Sequence, residues 1–496
     1  MRKIFVPLVI LLIGFHSIAQ ENVFHSNEFW KSKPSLNEIK QLIKVGNDPV
    51  AMNQNGFDAT VYAMIRDASN DSIEHLLSLE GNTLDKKTHD SRNYLHWAAY
   101  AGNVKIVKQL LKMGSSVTQT DSYGNTPLTF AANAGIKNME IYKAFLQHGV
   151  DLKKERNEEG ANILLLLASH LENEKELNKF ISYGLSLESV DNEGNNIFHY
   201  AVRRGNISFL QLLITKGINA KATNNNGGNA ILMASRGARG HQNSLELYQF
   251  LGNLGIEVNI VGDSKRNPLH AIAYKSIDLE LFNYFINEGV DVNLQDHSGN
   301  SPFMNTANSN NLEVVEFLFK KGSAINAQNE TGESALTMAV ANNDPEIVAF
   351  LLNKSADFNI IDSKGNSLVY YLVNSYSIKS TSSFDTKLEL LQKKGLAMDA
   401  TQASGNNLYH LAVRKNNLKL IERLRDLKIN INARNDEGLT ALHIAAMKAK
   451  DHKIITYLIS QGADLKIKTD FEESVYELAM ENEHLQKNPT SLNFLK

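Results

Sequence analysis

The sequence predicts an all-α solenoid of about twelve helix–turn–helix repeats with short β-hairpin-like turns. Three observations carry that prediction. A turn, an Ala-rich helix, a short break and an amphipathic helix recur in one order with a period near 33 residues. Each copy carries turn, capping and helix-ending residues at matching places. At 496 residues, 43% apolar and 21% charged, the chain is too long for one core yet composed like a folded protein. A repeat array resolves this, because it grows by adding units rather than by enlarging a core.

Taken in order, Arg2 and Lys3 precede an almost unbroken apolar run over residues 4–15, and Ser17-Ile18-Ala19 follows. This pattern predicts a signal peptide over residues 1–19, cleaved after Ala19. The apolar run falls short of the roughly 20 residues that span a bilayer. No later segment is long enough, so no membrane span is expected after cleavage and the mature chain is expected to be exported, periplasmic or secreted. Residues 20–53 are expected to hold an N-terminal segment and a capping half-repeat, with residues 35–45 as a lone second helix. The array proper is expected over 54–468. A capping helix with a frayed tail is expected over 469–496.

Aligning the copies on the turn position gives Gly56, Ser91, Gly124, Gly160, Gly194, Gly227, Lys265, Gly299, Gly332, Gly365, Gly405, Gly438 and Glu472. Their spacings run 35, 33, 36, 34, 33, 38, 34, 33, 33, 40, 33 and 34. Glycine there supplies a positive φ without steric cost. Thr126, Asn196, Asn407 and Thr440 are placed to cap the first helix. Pro127, Pro268 and Pro302 stand at its first position, where a missing N–H does no harm. Ile106-Val107 with Leu110-Leu111, and Val314-Val315 with Leu318, form the apolar stripe of the second helix. The break between helices is Gly102, Gly135 or Gly205. It becomes Asn310, Asn343 or Asn416 elsewhere, which predicts a left-handed residue there too.

The fragments NTPLTFAANAG, NPLHAIA and TALHIAA resemble the core motif of the ankyrin repeat, over roughly residues 50–480. That resemblance implies finger-like turns, a concave face lined by first helices, and protein partners. It also implies that the recurring His96, His199, His270, His410 and His443 make structural hydrogen bonds near the turn.

Two repeats run long, around residues 236–243 and 374–384, and both additions are read as loops between the helices. Residues 157–161 and 171–176 depart from the pattern, so the third and fourth units are expected to be distorted.

The composition narrows the chemistry. With no cysteine there is no disulfide, thiol nucleophile or Cys-ligated metal. The formal charge is −3, or −5 once Arg2 and Lys3 are removed, which gives no basic excess for nucleic acid. No H-E-x-x-H, G-x-S-x-G or phosphate-loop pattern is present. Gly227-Gly228 lacks the preceding strand a nucleotide loop needs. No cofactor, metal or catalytic residue is expected.

What remains is a surface. The position after the recurring His holds Trp97, Phe130, Tyr200 and Tyr371, with Tyr100 and Tyr274 close by on the same helices. Aromatic rings are favoured interface anchors, and they also pack between helices. Trp97 and Tyr100, three apart, share a helix face. Arg203-Arg204 and Arg414-Lys415 end first helices and suit an acidic partner. The finger tips His297 and Glu330 complete the candidates. The expected function is a monomeric, non-catalytic protein-binding scaffold. The alternatives are an exported effector that binds a host protein, or an enzyme with its site in the irregular repeats or long loops.

Overall fold

The structure is a computed structural model that describes residues 22–487 and 489–496; the expected leader lies outside the described residues. Among the described residues there are 27 α-helices and short 3-10 turns. β structure is limited to isolated antiparallel bridges such as Arg156↔Asn162 and Gln328↔Ser334 at the bases of turns. The chain forms two compact units, divided between Asn224 and Asn225.

In the first unit the helices Ala59–Ile65, Tyr94–Tyr100 and Pro127–Asn133 pack side by side, and Asn70–Leu77, Val104–Lys112 and Met139–Gln147 form a second row. In the second unit the first-helix row runs from Ala230–Arg236 through Pro268–Ile272, Pro302–Ser309 and Ala335–Asn342 to Val475–Glu481. The layers follow from the sequence pattern. Ala98, Ala99, Ala131 and Ala132 are fully buried, so neighbouring first helices meet over small side chains. Ile106, Val107, Leu110 and Leu111 bury the stripe of the second helix. Thr126, Asn196, Asn407 and Thr440 each accept a backbone N–H of the first turn, and Pro127, Pro268 and Pro302 open their helices.

All thirteen aligned turn positions have positive φ, including Ser91 at 61°, Lys265 at 55° and Glu472 at 63°. At Gly299 a second constraint applies. A Cβ there would stand 2.6 Å from the Glu330 nitrogen of the next finger. Several successive fingers are stitched by a backbone bond, such as Ser122 N–H to Asp90 O at 2.9 Å in the first unit and Glu330 N–H to Ser298 O at 3.0 Å in the second.

The structure corrects the sequence reading in several places. Asn416 is left-handed, with φ 47°, but Asn310 and Asn343 are extended, with φ −104° and −118°. Their amides explain why. Asn310 Nδ2 donates to Ala273 O and Ser276 O at 2.7 and 2.8 Å, and Asn343 Nδ2 donates to Ala307 O and Asn310 O at 3.0 and 2.9 Å. Each side chain thus closes the helix end of the repeat before it, which a glycine cannot do. Asn310→Ala is expected to cost about 2 kcal/mol, because two buried carbonyls lose their donor. Urea unfolding checks this, and a loss below about 0.5 kcal/mol would contradict the bridge.

The N-terminal cap is a helix pair rather than a lone second helix. Asn27–Lys31 precedes Leu36–Lys44, and Trp30 is fully buried with its indole N–H donated to Phe24 O at 2.8 Å. At the other end residues 489–495, expected to fray, form a 3-10 helix packed on Val475–Glu481, because Leu492 and Leu495 find cover there. The insertion at 374–384 is mostly helix: the second helix of that repeat starts at Thr381 and runs to Lys393. Buried Lys387 on it donates to Val340 O at 2.9 Å. The insertion at 236–243 is a tight turn closed by the Ala238↔His241 bridge. Residues 157–161 form an ordinary finger, with Gly160 N–H bonded to Asn157 O and φ 78°.

Candidate interaction surface

The recurring histidines are committed to the scaffold. Nδ1 of His96 accepts the backbone N–H of Asn93, so the proton sits on Nε2, which donates to Asn125 O of the next finger at 3.1 Å. His199, His270, His410 and His443 repeat this on Ala222 O, Asn300 O, Leu439 O and Ile467 O, at 2.9–3.1 Å. Burial holds all five imidazoles below their ordinary range, His96 down to about 4. Among the described residues no three His, Asp or Glu side chains converge as metal ligands.

The aromatic position after the histidine divides in two. Trp97, Tyr200 and Tyr371 are buried, and each spends its polar tip nine residues back, at the finger base. Trp97 Nε1–H donates to Thr88 Oγ1 at 2.7 Å, and the Tyr200 and Tyr371 hydroxyls donate to Asp191 and Asp362 at 2.8 Å each. These three rings hold the fingers to their helices and do not offer themselves to a partner. Phe130 alone of the four is half-buried.

Phe130 belongs to a cluster that the sequence reading saw only in part. It stacks on Tyr100 at 5.1 Å with 19° between the rings, and Trp97 meets both edge-on at 5.8 and 6.1 Å. Phe57 lies 5.7 Å from Trp97 and stacks on His89 at 4.5 Å. The Arg92 guanidinium sits 4.2 Å from Phe130, 5.3 Å from Trp97 and 5.8 Å from Tyr123. Arg92 is itself buried and paired with Asp90 and Asp121, each at 2.9 Å. The result is an aromatic shelf across the first three fingers, its inner face held by a neutralised guanidinium and its outer face open at Tyr100 (40% exposed) and Tyr123 (61% exposed). Phe57, Arg92, Tyr123 and His89 were missed. Tyr62, Trp97 and Phe130 are 35 and 33 residues apart, the spacings of the turns themselves, but the four missed residues lie outside that column.

The remaining candidates stand apart from the shelf. Arg203 is half-buried and Arg204 exposed just beyond the Ile197–Ala201 helix, and both cations face His170, whose imidazole is held low by burial and then by Arg204. In the second unit Tyr274 is 37% exposed, and burial raises its hydroxyl. Arg414 and Lys415 are exposed, and Arg414 reaches Glu437 at 3.5 Å. His297 and Glu330 are exposed at finger tips, their backbones spent on the finger-to-finger bonds. None of these gathers a second candidate into a cluster like that around Tyr100.

Among the described residues no helix is long and apolar enough to cross a membrane. A family model described as ankyrin repeats (3 copies) matches residues 31–121, 61–156, 95–177, 164–262 and 269–362, and one described as ankyrin repeats (many copies) matches 383–459. Curated relatives are similar over shorter stretches. A Danio rerio protein named as the palmitoyltransferase ZDHHC13 is 27% identical over 206 residues, 41% of this chain and 31% of that protein. L-asparaginase of Dirofilaria immitis is 32% identical over 151 residues, 30% of this chain and 25% of that protein. Human SH3 and multiple ankyrin repeat domains protein 2 is 28% identical over 158 residues, 32% of this chain and 8% of that protein. The chain therefore spans less than a third of the length of each.

Proposed function

From the premise that this chain belongs to the ankyrin-repeat family, we propose that it is a monomeric, non-catalytic scaffold that binds another protein outside the cytoplasm, in the periplasm or beyond the cell. The observation that carries the reading is the exposed aromatic shelf of Tyr100, Phe130 and Tyr123 on a rigid repeat stack. Solvent-exposed rings cost apolar hydration, and the Tyr100 and Phe130 rings, already fixed by stacking, lose little entropy when a partner covers them. The export half of the proposal is supported by Arg2-Lys3, the apolar run over residues 4–15 and the small residues Ser17 and Ala19.

A crosslinking pull-down from the exported fraction tests both halves. The bait is wild type beside a Tyr100→Ala, Tyr123→Ala double variant. Trp97 is left intact because its bond to Thr88 holds a finger in place. The expected result is a specific protein recovered by wild type and reduced about ten-fold or more with the variant, each exposed anchor being worth about 1 kcal/mol or more. Recovery of the same proteins by both baits would move the binding site away from the shelf. Absence of the chain from every exported fraction would overturn the location.

A further inference from the structure

We infer that the shelf receives a basic, extended segment of the partner protein, with a lysine or arginine side chain seated on the open rings of Tyr100 and Tyr123 beside the carboxylates of the neighbouring fingers. The inference rests on the protein-binding reading above and adds the chemistry of what is bound.

Charge is the first ground. The fingers 88–92, 121–125, 157–161 and 191–195 hold six carboxylates and one cation, Arg92; Glu158, Glu159 and Glu193 are exposed, whereas Asp121 and Asp191 are buried. Arg92 is consumed internally: one cation between Asp90 and Asp121 leaves that trio with one negative charge in excess. Glu158 is exposed and packs directly against Gly124, the residue after Tyr123, so a further carboxylate borders the open ring. The rings are the second ground. Aromatic faces carry negative potential and attract cations. Arg92 already shows this from inside, with one guanidinium shared among Trp97, Tyr123 and Phe130. Tyr123, 61% exposed, offers the same chemistry outward. An acidic segment would meet like charge at Glu158, Glu159 and Glu193. A purely apolar one would cover the exposed Glu158 carboxylate without matching its charge.

Three synthetic peptides of one length, with lysine, glutamine or glutamate alternating with glycine and serine, test the inference by titration calorimetry against the full chain. The lysine peptide is expected to bind, and to weaken as salt is raised, since Glu158, Glu159 and Glu193 are exposed. Tyr123→Ala should raise its Kd about three-fold and Glu158→Gln about two-fold. Phe471→Ala, an exposed ring in the other unit, should leave it unchanged. Both shelf positions are exposed, and thermal melts would verify that the variants fold. Failure of the lysine peptide to bind, equal binding of the glutamate peptide, or indifference to both shelf variants would overturn the basic-segment assignment. The pull-down reads separately: a shelf-dependent partner recovered there, with no preference for lysine here, would refute the chemistry and keep the scaffold.

Discussion

Asp58→Ala is expected to destabilise the first two repeats by about 3–5 kcal/mol. Most first helices that carry the recurring histidine use a neutral bond to reach the next repeat, but the repeat beginning at Gly56 has Val61 in that place. Its joint is ionic. The fully buried Asp58 carboxylate caps its helix by accepting Val61 N–H at 2.9 Å, pairs with Lys86 Nζ at 2.7 Å and accepts the Tyr94 hydroxyl at 2.6 Å. Lys86 Nζ also donates to Val50 O and Asn82 Oδ1, both at 2.8 Å. Alanine removes all three partners at once and leaves the ammonium enclosed without its counter-charge. Asp58→Asn keeps the cap and should cost less. Combining Asp58→Ala with Lys86→Met should recover part of the loss, because the stranded charge goes too. Hydrogen exchange of the repeats around Asp58 reads the effect locally, as suits a stack in which each repeat touches only its neighbours. A cost under about 1 kcal/mol would show that the pair is solvated and not a structural joint.

Acid is expected to weaken the protein well before its carboxylates titrate. The five recurring imidazoles are buried neutral, with folded values below the ordinary 6.5 of an exposed histidine. The unfolded chain therefore takes up protons first. The stabilisation is complete above about pH 6.5 and is lost as the pH falls toward the folded values. For His96, held at about 4, the full loss is about 3 kcal/mol. Urea midpoints measured from about pH 7 to about pH 4.5 should fall steadily, and His96→Gln should start lower but fall less steeply. A flat profile over that window would mean that these rings are hydrated, contrary to their burial.

What could be read from the sequence was whatever repeats. Backbone geometry is imposed on every copy, so even Ser91, Lys265 and Glu472 were found in their left-handed turns from register alone. Caps and helix-opening prolines followed for the same reason. What escaped was anything made between copies by unlike residues. Asn310 resembles a substitute for glycine until its amide is seen reaching back to Ala273 and Ser276. Trp97 reads as an exposed anchor until its indole is found on Thr88. The shelf needed Arg92 and Tyr123, which sit at different offsets within their own fingers and meet only when the fingers are stacked. The insertion before Phe384 was read as loop because its serines weaken the helical pattern, while burial of Phe384 and Lys387 draws the helix back to Thr381.

The histidine joints bear on how such a gene can change. Each imidazole reaches a main-chain carbonyl, at Asn125, Ala222, Asn300, Leu439 or Ile467, and every amino acid carries that acceptor. A copy inserted by unequal recombination would find its acceptor whatever its own side chains, so the interior can lengthen or shorten by whole units without a matching second mutation. The Asp58, Lys86 and Tyr94 joint has no such freedom. Its partners are side chains from two successive copies, so those copies must be inherited together.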